Sequence, residues 1–282
     1  MESRSFRAPA KINWHLAVGG RRPDGYHDLC SLFETIDLCD SLTLAIKMDG
    51  GASGLSLHTP PGIPADERNT VAKADAALRR LLPQLPAIAV VLHKEIPHEA
   101  GLGGGSSDAA CFLRAVNELL SLNLPLESLA QLALEVGSDV PYFLTGGRAR
   151  VTGRGEIVET LPDAPRVELL VIMPDAKSST AEAYRALHRP AGEFPMQDVP
   201  AGDPRSPEFM LACRNDFEAV MPPEILAPIA RMKALGGDAR LSGSGAASFG
   251  WFEGETALAR AERELRNEFP FVRRVRTRPR AA

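Results

Sequence analysis

Alternating apolar and polar positions near the start of the chain predict a half-buried strand. Every second residue from Ile12 to Val18 is apolar, and this period of two places Lys11, Asn13 and His15 together on the opposite face. The alternation returns from Leu42 to Ile46, after the turn-rich sequence GGRRPDGYHD. The two segments therefore predict an antiparallel hairpin or meander.

Helical and strand patterns share the rest of the chain. Helices are predicted at 69–82, 109–120, 125–137, 225–235 and from about 256, and strands at 88–92, 167–173, 249–252 and near 272. The stretch from Pro190 to Pro207 is too rich in proline for an element interior and is predicted to be a surface loop. Strands and helices mix without a strict βαβ repeat, which favours an α+β fold over a doubly wound one.

Length and charge narrow the class of protein. At about 150 residues per domain, 282 residues indicate two domains, and 44% hydrophobic residues supply a sizeable core. The formal net charge is 32 − 36 = −4, so the protein as a whole does not attract nucleic acid or anionic lipid. Any phosphate-binding site must therefore be local.

Targeting and cysteine patterns predict the compartment. The N-terminus has no apolar signal core, and no uncharged apolar run approaches the roughly 20 residues of a membrane span. Cys30, Cys39, Cys111 and Cys213 form no CxxC pair. We expect a cytoplasmic protein with free thiols, without a membrane or nucleic-acid partner and without a metal held by protein ligands.

The sequence PHEAGLGGGSSDAA, from Pro97 to Ala110, predicts a phosphate-binding loop. Four glycines between Gly101 and Gly105 precede an amphipathic helix, so backbone N–H groups and the positive end of the helix dipole can face an anion. The structural alternative is a flexible turn capped by Ser106. The Walker loop, GxGxxG, the GxSxG elbow and the protein-kinase motifs do not occur in the sequence.

Phosphoryl transfer to an alcohol needs a cation that stabilises the transferring charge and usually a carboxylate that accepts the hydroxyl proton. Lys11 and Asp139 are the candidates, with a solvated lysine and a helix N-cap as the alternatives. Asp108 is expected to serve the helix dipole. Tyr26 and His27 could stack on and hydrogen-bond a planar ring, and the loop from 241 to 248 could bind phosphate or allow tight packing.

Three motifs together resemble those of the GHMP kinases, the family that includes galactokinase, homoserine kinase and mevalonate kinase. They are APAKIN at 8–13, PHEAGLGGGSSDAA at 97–110 and LSGSGAASF at 241–249, and they span nearly the whole chain. The resemblance implies an α+β, two-domain GHMP kinase fold. A ribosomal protein S5 domain 2-like N-terminal domain would cover 1–160, and a ferredoxin-like C-terminal domain 161–282.

Two further segments resemble the family members that act on CDP-methylerythritol, namely RPDGYHDL at 22–29 and GSDVPYFL at 137–144. This likeness implies ATP-dependent phosphorylation of the 2-hydroxyl of the methylerythritol group, a step of the non-mevalonate isoprenoid pathway. A homoserine or mevalonate type of kinase is one alternative. A non-catalytic nucleotide- or RNA-binding module is another, supported only by the arginines between Arg273 and Arg280.

The resemblance also implies residue roles. Asp139 would be the base and Lys11 its cationic partner, while Tyr26 and Tyr184 would stack on the two faces of the cytosine, whose edge His27 reads. The implied substrate-binding residues are Asn13, Tyr26, His27, Phe33 and Tyr184. The implied ATP-binding residues are Pro97, His98, Glu99, Ala100, Gly101, Leu102, Gly103, Gly104, Gly105, Ser106, Ser107, Asn69, Gly243, Ser244 and Gly245. Mg²⁺ would bind mainly through the ATP phosphates, and the enzyme would be a monomer or a homodimer.

Overall fold

The computed structural model describes residues 3–47 and 53–280. Its strands are β1 (Ser3–Arg21), β2 (His27–Lys47), β3 (Leu55–His58), β4 (Ala87–His93), β5 (Arg148–Gly153), β6 (Ile157–Thr160), β7 (Glu168–Met173), β8 (Asp238–Leu241), β9 (Ser248–Trp251) and β10 (Phe271–Arg276). Its α-helices are α1 (Thr70–Leu81), α2 (Gly104–Leu119), α3 (Leu126–Val136), α4 (Val140–Phe143), α5 (Thr180–Ala186), α6 (Pro207–Ala212), α7 (Pro223–Ala234) and α8 (Glu255–Leu265). A short 3₁₀ helix covers Asp216–Ala219.

The chain forms two compact units, and each draws on several stretches of sequence. The first unit comprises Met1–Ala10, Leu38–His98 and Gly103–Thr145. In it, β4 pairs antiparallel with residues 41–47 of β2, and β3 pairs parallel with β4. Helices α1, α2 and α3 contact one another. They bury apolar side chains such as Leu78 and Phe112, at the helical spacing that the sequence shows.

The second unit comprises Lys11–Asp37, Glu99–Leu102 and Gly146–Ala282. Its four-stranded sheet has the order β10-β7-β9-β8, with every neighbouring pair antiparallel. Residues 29–34 of β2 pair antiparallel with β5, which pairs antiparallel with β6. Helices α7 and α8 contact the four-stranded sheet and bury Ile225, Met232 and Leu265 against its apolar side chains.

These elements confirm most of the predicted pattern. The predicted helix 69–82 is α1, and the helix after the glycine-rich loop is α2. The predicted loop from Pro190 to Pro207 contains no helix or extended strand except at its last residue, Pro207, which begins α6. The mostly antiparallel pairing confirms the α+β class. The predicted domains 1–160 and 161–282 stay a prediction.

The prediction of a half-buried first strand is wrong, because β1 is buried on both faces. Lys11, Asn13 and His15 are 3%, 1% and 0% exposed. The His15 ring lies between the Gln197 carbonyl oxygen, 3.3 Å from Nε2, and the Arg214 N–H, which donates to Nδ1 at 3.4 Å. A period-two pattern reports which residues share a face, but it cannot report that a distant segment covers the polar one.

Candidate active site

The glycine-rich loop of the second motif runs into α2, whose first turn has no side-chain cap. Gly103 occupies the N-cap position with φ of +73°, a left-handed conformation that suits glycine. Ser106 lies inside the helix, so the alternative of a turn capped by Ser106 is wrong. The first N–H groups of α2 are thus left to an incoming anion.

Close packing in the first unit leaves little room for side chains at the start of α2. A Cβ atom on Gly104 would lie 3.0 Å from Ile96 Cγ2 and 3.2 Å from Lys94 Nζ. The Thr70 hydroxyl donates to the Gly105 carbonyl oxygen at 2.6 Å, which ties the start of α1 to this turn. The Ser107 hydroxyl is buried and has no hydrogen-bond partner among the described residues. An uncapped helix start with a spare buried hydroxyl fits a phosphate group.

Lys11 is a buried hydrogen-bonding centre of the second unit and not a solvated lysine. Its ammonium donates to Asn13 Oδ1 at 2.6 Å and to the Gly101 carbonyl oxygen at 2.9 Å. The ammonium also lies 4.7 Å from the centroid of the Phe33 ring. Its backbone N–H donates to the Leu102 carbonyl oxygen at 3.0 Å. Lys11 therefore holds its charge at a fixed position beside the backbone of the second motif.

Asn13 joins the first motif to the third. Its Oδ1 accepts the Gly243 N–H at 2.8 Å, and its Nδ2 donates to the Ser31 hydroxyl at 2.9 Å. The Ser242 hydroxyl donates to the Gly101 carbonyl oxygen at 3.0 Å. The predicted residues Lys11, Asn13, Gly101 and Gly243 thus meet in one network of the second unit.

Glycine is required where the second and third motifs touch. Gly101 has φ of +75°, and a Cβ atom there would lie 2.1 Å from the Ser242 carbonyl oxygen. Gly243 has φ of +56°, and a Cβ atom there would lie 3.0 Å from the Gly101 carbonyl oxygen. Beyond this contact, the Ser244 carbonyl oxygen accepts from the Ser178 hydroxyl at 2.6 Å. Both loops are therefore held at a fixed separation by backbone contact.

The predicted base-binding residues include a pair of stacked rings. His27 and Tyr184 stack with centroids 5.1 Å apart and planes 21° apart, and Tyr184 meets Phe217 edge-on at 4.9 Å. Tyr26 is 51% exposed, with the Arg154 guanidinium 4.7 Å from its ring centroid. The His27 ring therefore covers one face of Tyr184, and a base can stack on that face only if the two rings separate.

Burial affects the proton affinity of His27. Burial, together with the cations Arg21 and Arg189, lowers the pKa of His27 below its ordinary value. A neutral imidazole has one donor and one acceptor nitrogen, which suits hydrogen bonding to a base edge.

Asp139 and Asn69 both lie at helix starts in the first unit. Asp139 occupies the N-cap position of α4, but its side chain makes no capping hydrogen bond. Asn69 caps α1, accepting the Val71 N–H at 2.9 Å and donating to the Pro64 carbonyl oxygen at 2.7 Å. The carboxylate of Asp139 is therefore not used as a cap, whereas the amide of Asn69 is.

A buried ionic cluster in the first unit was not predicted. Lys94, directly after β4, forms ion pairs with Asp40 and with Asp108, the latter at 2.7 Å. The sequence predicted for Asp108 only an interaction with the positive end of the helix dipole, whereas in the structure Asp108 also forms an ion pair with Lys94. An acidic residue at position 40, between Leu38 and Leu42 of β2, was the available sequence signal.

No group of three or more His, Cys, Asp or Glu side chains in the described ranges 3–47 and 53–280 could hold a metal ion. Over the same residues, none of the helices combines the length and the apolar character that a bilayer crossing requires. Within the described residues, the cysteines at positions 30, 39, 111 and 213 form no disulfide, and all but Cys111 are buried.

Family models match both halves of the chain. The GHMP kinases N terminal domain matches residues 69–147, and the GHMP kinases C terminal domain matches residues 206–270. The chain belongs to the GHMP kinase family, and it has the two-domain α+β fold of that family. It is an ATP-dependent small-molecule kinase.

Within the family, the chain is similar to one kind of enzyme over more than nine-tenths of its length. It is 40% identical to the 4-diphosphocytidyl-2-C-methyl-D-erythritol kinase of Exiguobacterium sibiricum, over 95% of this chain and 96% of the relative. It is 38% identical to the enzyme of that name from Bacillus subtilis, over 92% of each. A crystal structure of 4-(cytidine 5'-diphospho)-2C-methyl-D-erythritol kinase matches with a TM-score of 0.81 and 34% identity, covering 97% of this chain and 99% of that one.

A more distant structure shows the fold alone. The homoserine kinase of Cytophaga hutchinsonii matches with a TM-score of 0.70 at 18% identity, covering 99% of this chain and 96% of that one.

Proposed function

We propose that this kinase transfers the γ-phosphoryl group of ATP to the 2-hydroxyl of 4-diphosphocytidyl-2-C-methyl-D-erythritol, in the non-mevalonate isoprenoid precursor pathway. The observation that carries the proposal is identity of 34–40% with proteins of that name over at least nine-tenths of the chain. The stacked pair of His27 and Tyr184, with Tyr26 next to His27 in the chain, supports it, because aromatic rings with a neutral imidazole suit a cytosine. A small acyclic alcohol such as homoserine needs no such group.

For the transfer step, we propose that Asp139 is the base and Lys11 the electrostatic partner. The 2-hydroxyl oxygen attacks the γ-phosphorus, the bond from that phosphorus to the bridging oxygen breaks, and the hydroxyl proton passes to Asp139. The Asp139 carboxylate makes no capping bond that would compete with this role. Lys11, positioned by Asn13 and Gly101, would stabilise the negative charge that develops during transfer.

ATP supplies the phosphoryl group, and the protein supplies the means to bind it. We propose that residues 97–107 bind the phosphates through the first N–H groups of α2 and the hydroxyls of Ser106 and Ser107. In this proposal Gly243, Ser244 and Gly245 also bind ATP, and Asn69 binds near the adenine. Mg²⁺ is held mainly through the ATP phosphates and water.

An ADP-release assay over a panel of alcohols tests the substrate. We expect turnover with 4-diphosphocytidyl-2-C-methyl-D-erythritol and none with homoserine or mevalonate, and phosphorus NMR of the product should place the new phosphate on the 2-oxygen. Turnover of homoserine or mevalonate without turnover of the CDP-linked substrate would overturn the proposal.

A substitution at Asp139 tests the base. Asp139→Asn should lower kcat at least 100-fold while the Kd for ATP changes less than threefold, because the base acts on the acceptor and not on the nucleotide. Glu127→Gln, an exposed carboxylate on α3, is the matched control and should leave kcat unchanged. A fall of less than about tenfold, or roughly 1.4 kcal/mol in the barrier, would show that Asp139 is not the base.

A further inference from the structure

Three charged side chains lie next to the start of α2 without a role in the proposed transfer step. Lys94, Asp40 and Asp108 all belong to the first unit, and each is almost fully buried. Lys94 bonds to both carboxylates. Such a cluster is costly to bury, because its formal charges sum to −1 unless a proton is bound.

Asp40 connects this cluster to the backbone that leads into the phosphate loop. Its Oδ1 accepts the N–H groups of Glu95 and Ile96, at 2.7 and 2.8 Å. These residues directly precede Pro97, where the glycine-rich motif begins. The end of β4 is therefore anchored by one buried carboxylate, which in turn is paired with Lys94.

Asp108 introduces a negative charge where the proposed phosphate site needs a positive field. It is the fifth residue of α2, and its Oδ1 is buried without a hydrogen-bond partner among the described residues. Lys94 opposes this charge from one side, with its Nζ 2.7 Å from Asp108 Oδ2. The same Nζ would be only 3.2 Å from a Cβ atom on Gly104, the first residue of the helix.

The pKa shifts of Lys94 and Asp108 agree with a cluster in which the ammonium offsets carboxylate charge. Burial opposes the charge of Lys94, but Asp108 and Asp40 outweigh burial and raise the pKa of Lys94 above its ordinary value. Burial raises the pKa of Asp108 above its ordinary value, with Lys94 acting against that rise and Asp40 adding to it. The ammonium therefore stays charged at neutral pH.

We infer that Lys94 is a positioning residue for the nucleotide: its ammonium offsets the charge of Asp108 beside the first turn of α2, while Asp40 holds the chain that enters the phosphate loop. The inference rests on the proposed ATP-phosphate role of residues 97–107. Lys94 acts here through its ion pairs and not by contact with the triphosphate. Without its ammonium, the formal charge of the cluster would change from −1 to −2, and the added negative charge next to the loop would repel ATP.

Calorimetric titration with ATP, without any acceptor, tests this role in the full-length chain. Lys94→Met should weaken ATP binding at least tenfold. The double variant Lys94→Met with Asp108→Asn should bind ATP within threefold of the unchanged protein, because the formal charge of the cluster returns to −1 and Asp40 still accepts the Glu95 and Ile96 N–H groups. Lys73→Met, an exposed lysine on α1, is the matched control and should bind ATP normally.

Two results would overturn the inference. One is normal ATP binding by Lys94→Met. The other is a double variant that binds ATP at least tenfold more weakly than the unchanged protein, since that loss would mean that the ammonium itself contacts the nucleotide. If circular dichroism shows that Lys94→Met does not fold, the double variant alone decides between these outcomes.

Steady-state kinetics separate positioning from general damage. Lys94→Met should raise the KM for ATP and leave the KM for the acceptor within twofold, whereas a loosened fold would change both. ATP binding is measured without an acceptor, so a failure here is distinct from a failure of the substrate panel described above.

Discussion

Replacement of Gly101 by alanine is expected to separate the second and third motifs. The added Cβ would lie 2.1 Å from the Ser242 carbonyl oxygen, which is backbone and cannot rotate away. Relief of this overlap requires one loop to move. Movement would stretch the bonds that the Gly101 carbonyl oxygen accepts from Lys11 and from the Ser242 hydroxyl.

The magnitude has two parts. An alanine at φ of +75° costs about 1–2 kcal/mol for the left-handed backbone alone. Insertion of a methyl group into a tightly packed contact adds about 1–3 kcal/mol. We therefore expect Gly101→Ala to lower the free energy of unfolding by about 2–5 kcal/mol.

A second glycine isolates the part that comes from the contact. Gly236 has φ of +87° and no neighbouring atom within 4 Å of the position a Cβ would take. Gly236→Ala should therefore cost only the backbone term of about 1–2 kcal/mol. The difference between the two variants measures how tightly the motifs meet.

Urea unfolding at 25 °C and ADP release measure the two consequences. Gly101→Ala should be less stable than Gly236→Ala by about 1–3 kcal/mol, and it should lose activity because Lys11 loses its fixed position. Gly236→Ala should keep its activity. Equal destabilisation by the two variants, with activity retained in both, would refute the argument that backbone contact sets the separation of the loops.

Two further predictions concern buried polar groups. Asn13→Ala leaves the Gly243 N–H without its acceptor and removes one acceptor of Lys11, so the free energy of unfolding in urea should fall by about 3 kcal/mol. The control Asn267→Ala removes an exposed amide and should change this free energy little. Equal effects of the two substitutions would contradict the role of Asn13. Burial raises the pKa of Glu34 from its ordinary value of 4.5 to about 7. Between these two values the folded chain keeps a proton that the unfolded chain releases, so stability falls as pH rises from 4.5 through about 7. Glu34→Gln can still accept the Trp14 N–H, and its stability relative to the unchanged protein should rise by about 3 kcal/mol from pH 4 to pH 8; parallel pH profiles would exclude this assignment.

The local elements of this protein could be predicted from its sequence. Helical spacing located α1 and α7, and the glycine-rich segment before an amphipathic run located the loop at the start of α2. These features depend on residues close together in the chain, so their patterns can be recognised from the sequence alone. The three motifs were sufficient for the family resemblance, which the family models confirm.

The partners of the polar residues could not be predicted in the same way. The sequence placed Lys11 and Asn13 on one strand face, but only the folded chain brings Gly101 and Gly243 to that face and buries it. Asp108 looked like a helix-dipole residue until the fold placed Lys94 beside it. Periodicity along the chain determines which side chains point the same way, whereas hydrogen bonds form between residues far apart in the chain, such as Asn13 and Gly243, which are 230 positions apart. What a buried charge does is decided by the groups that the tertiary structure packs against it, because its energy depends on those distances and not on its position in the sequence.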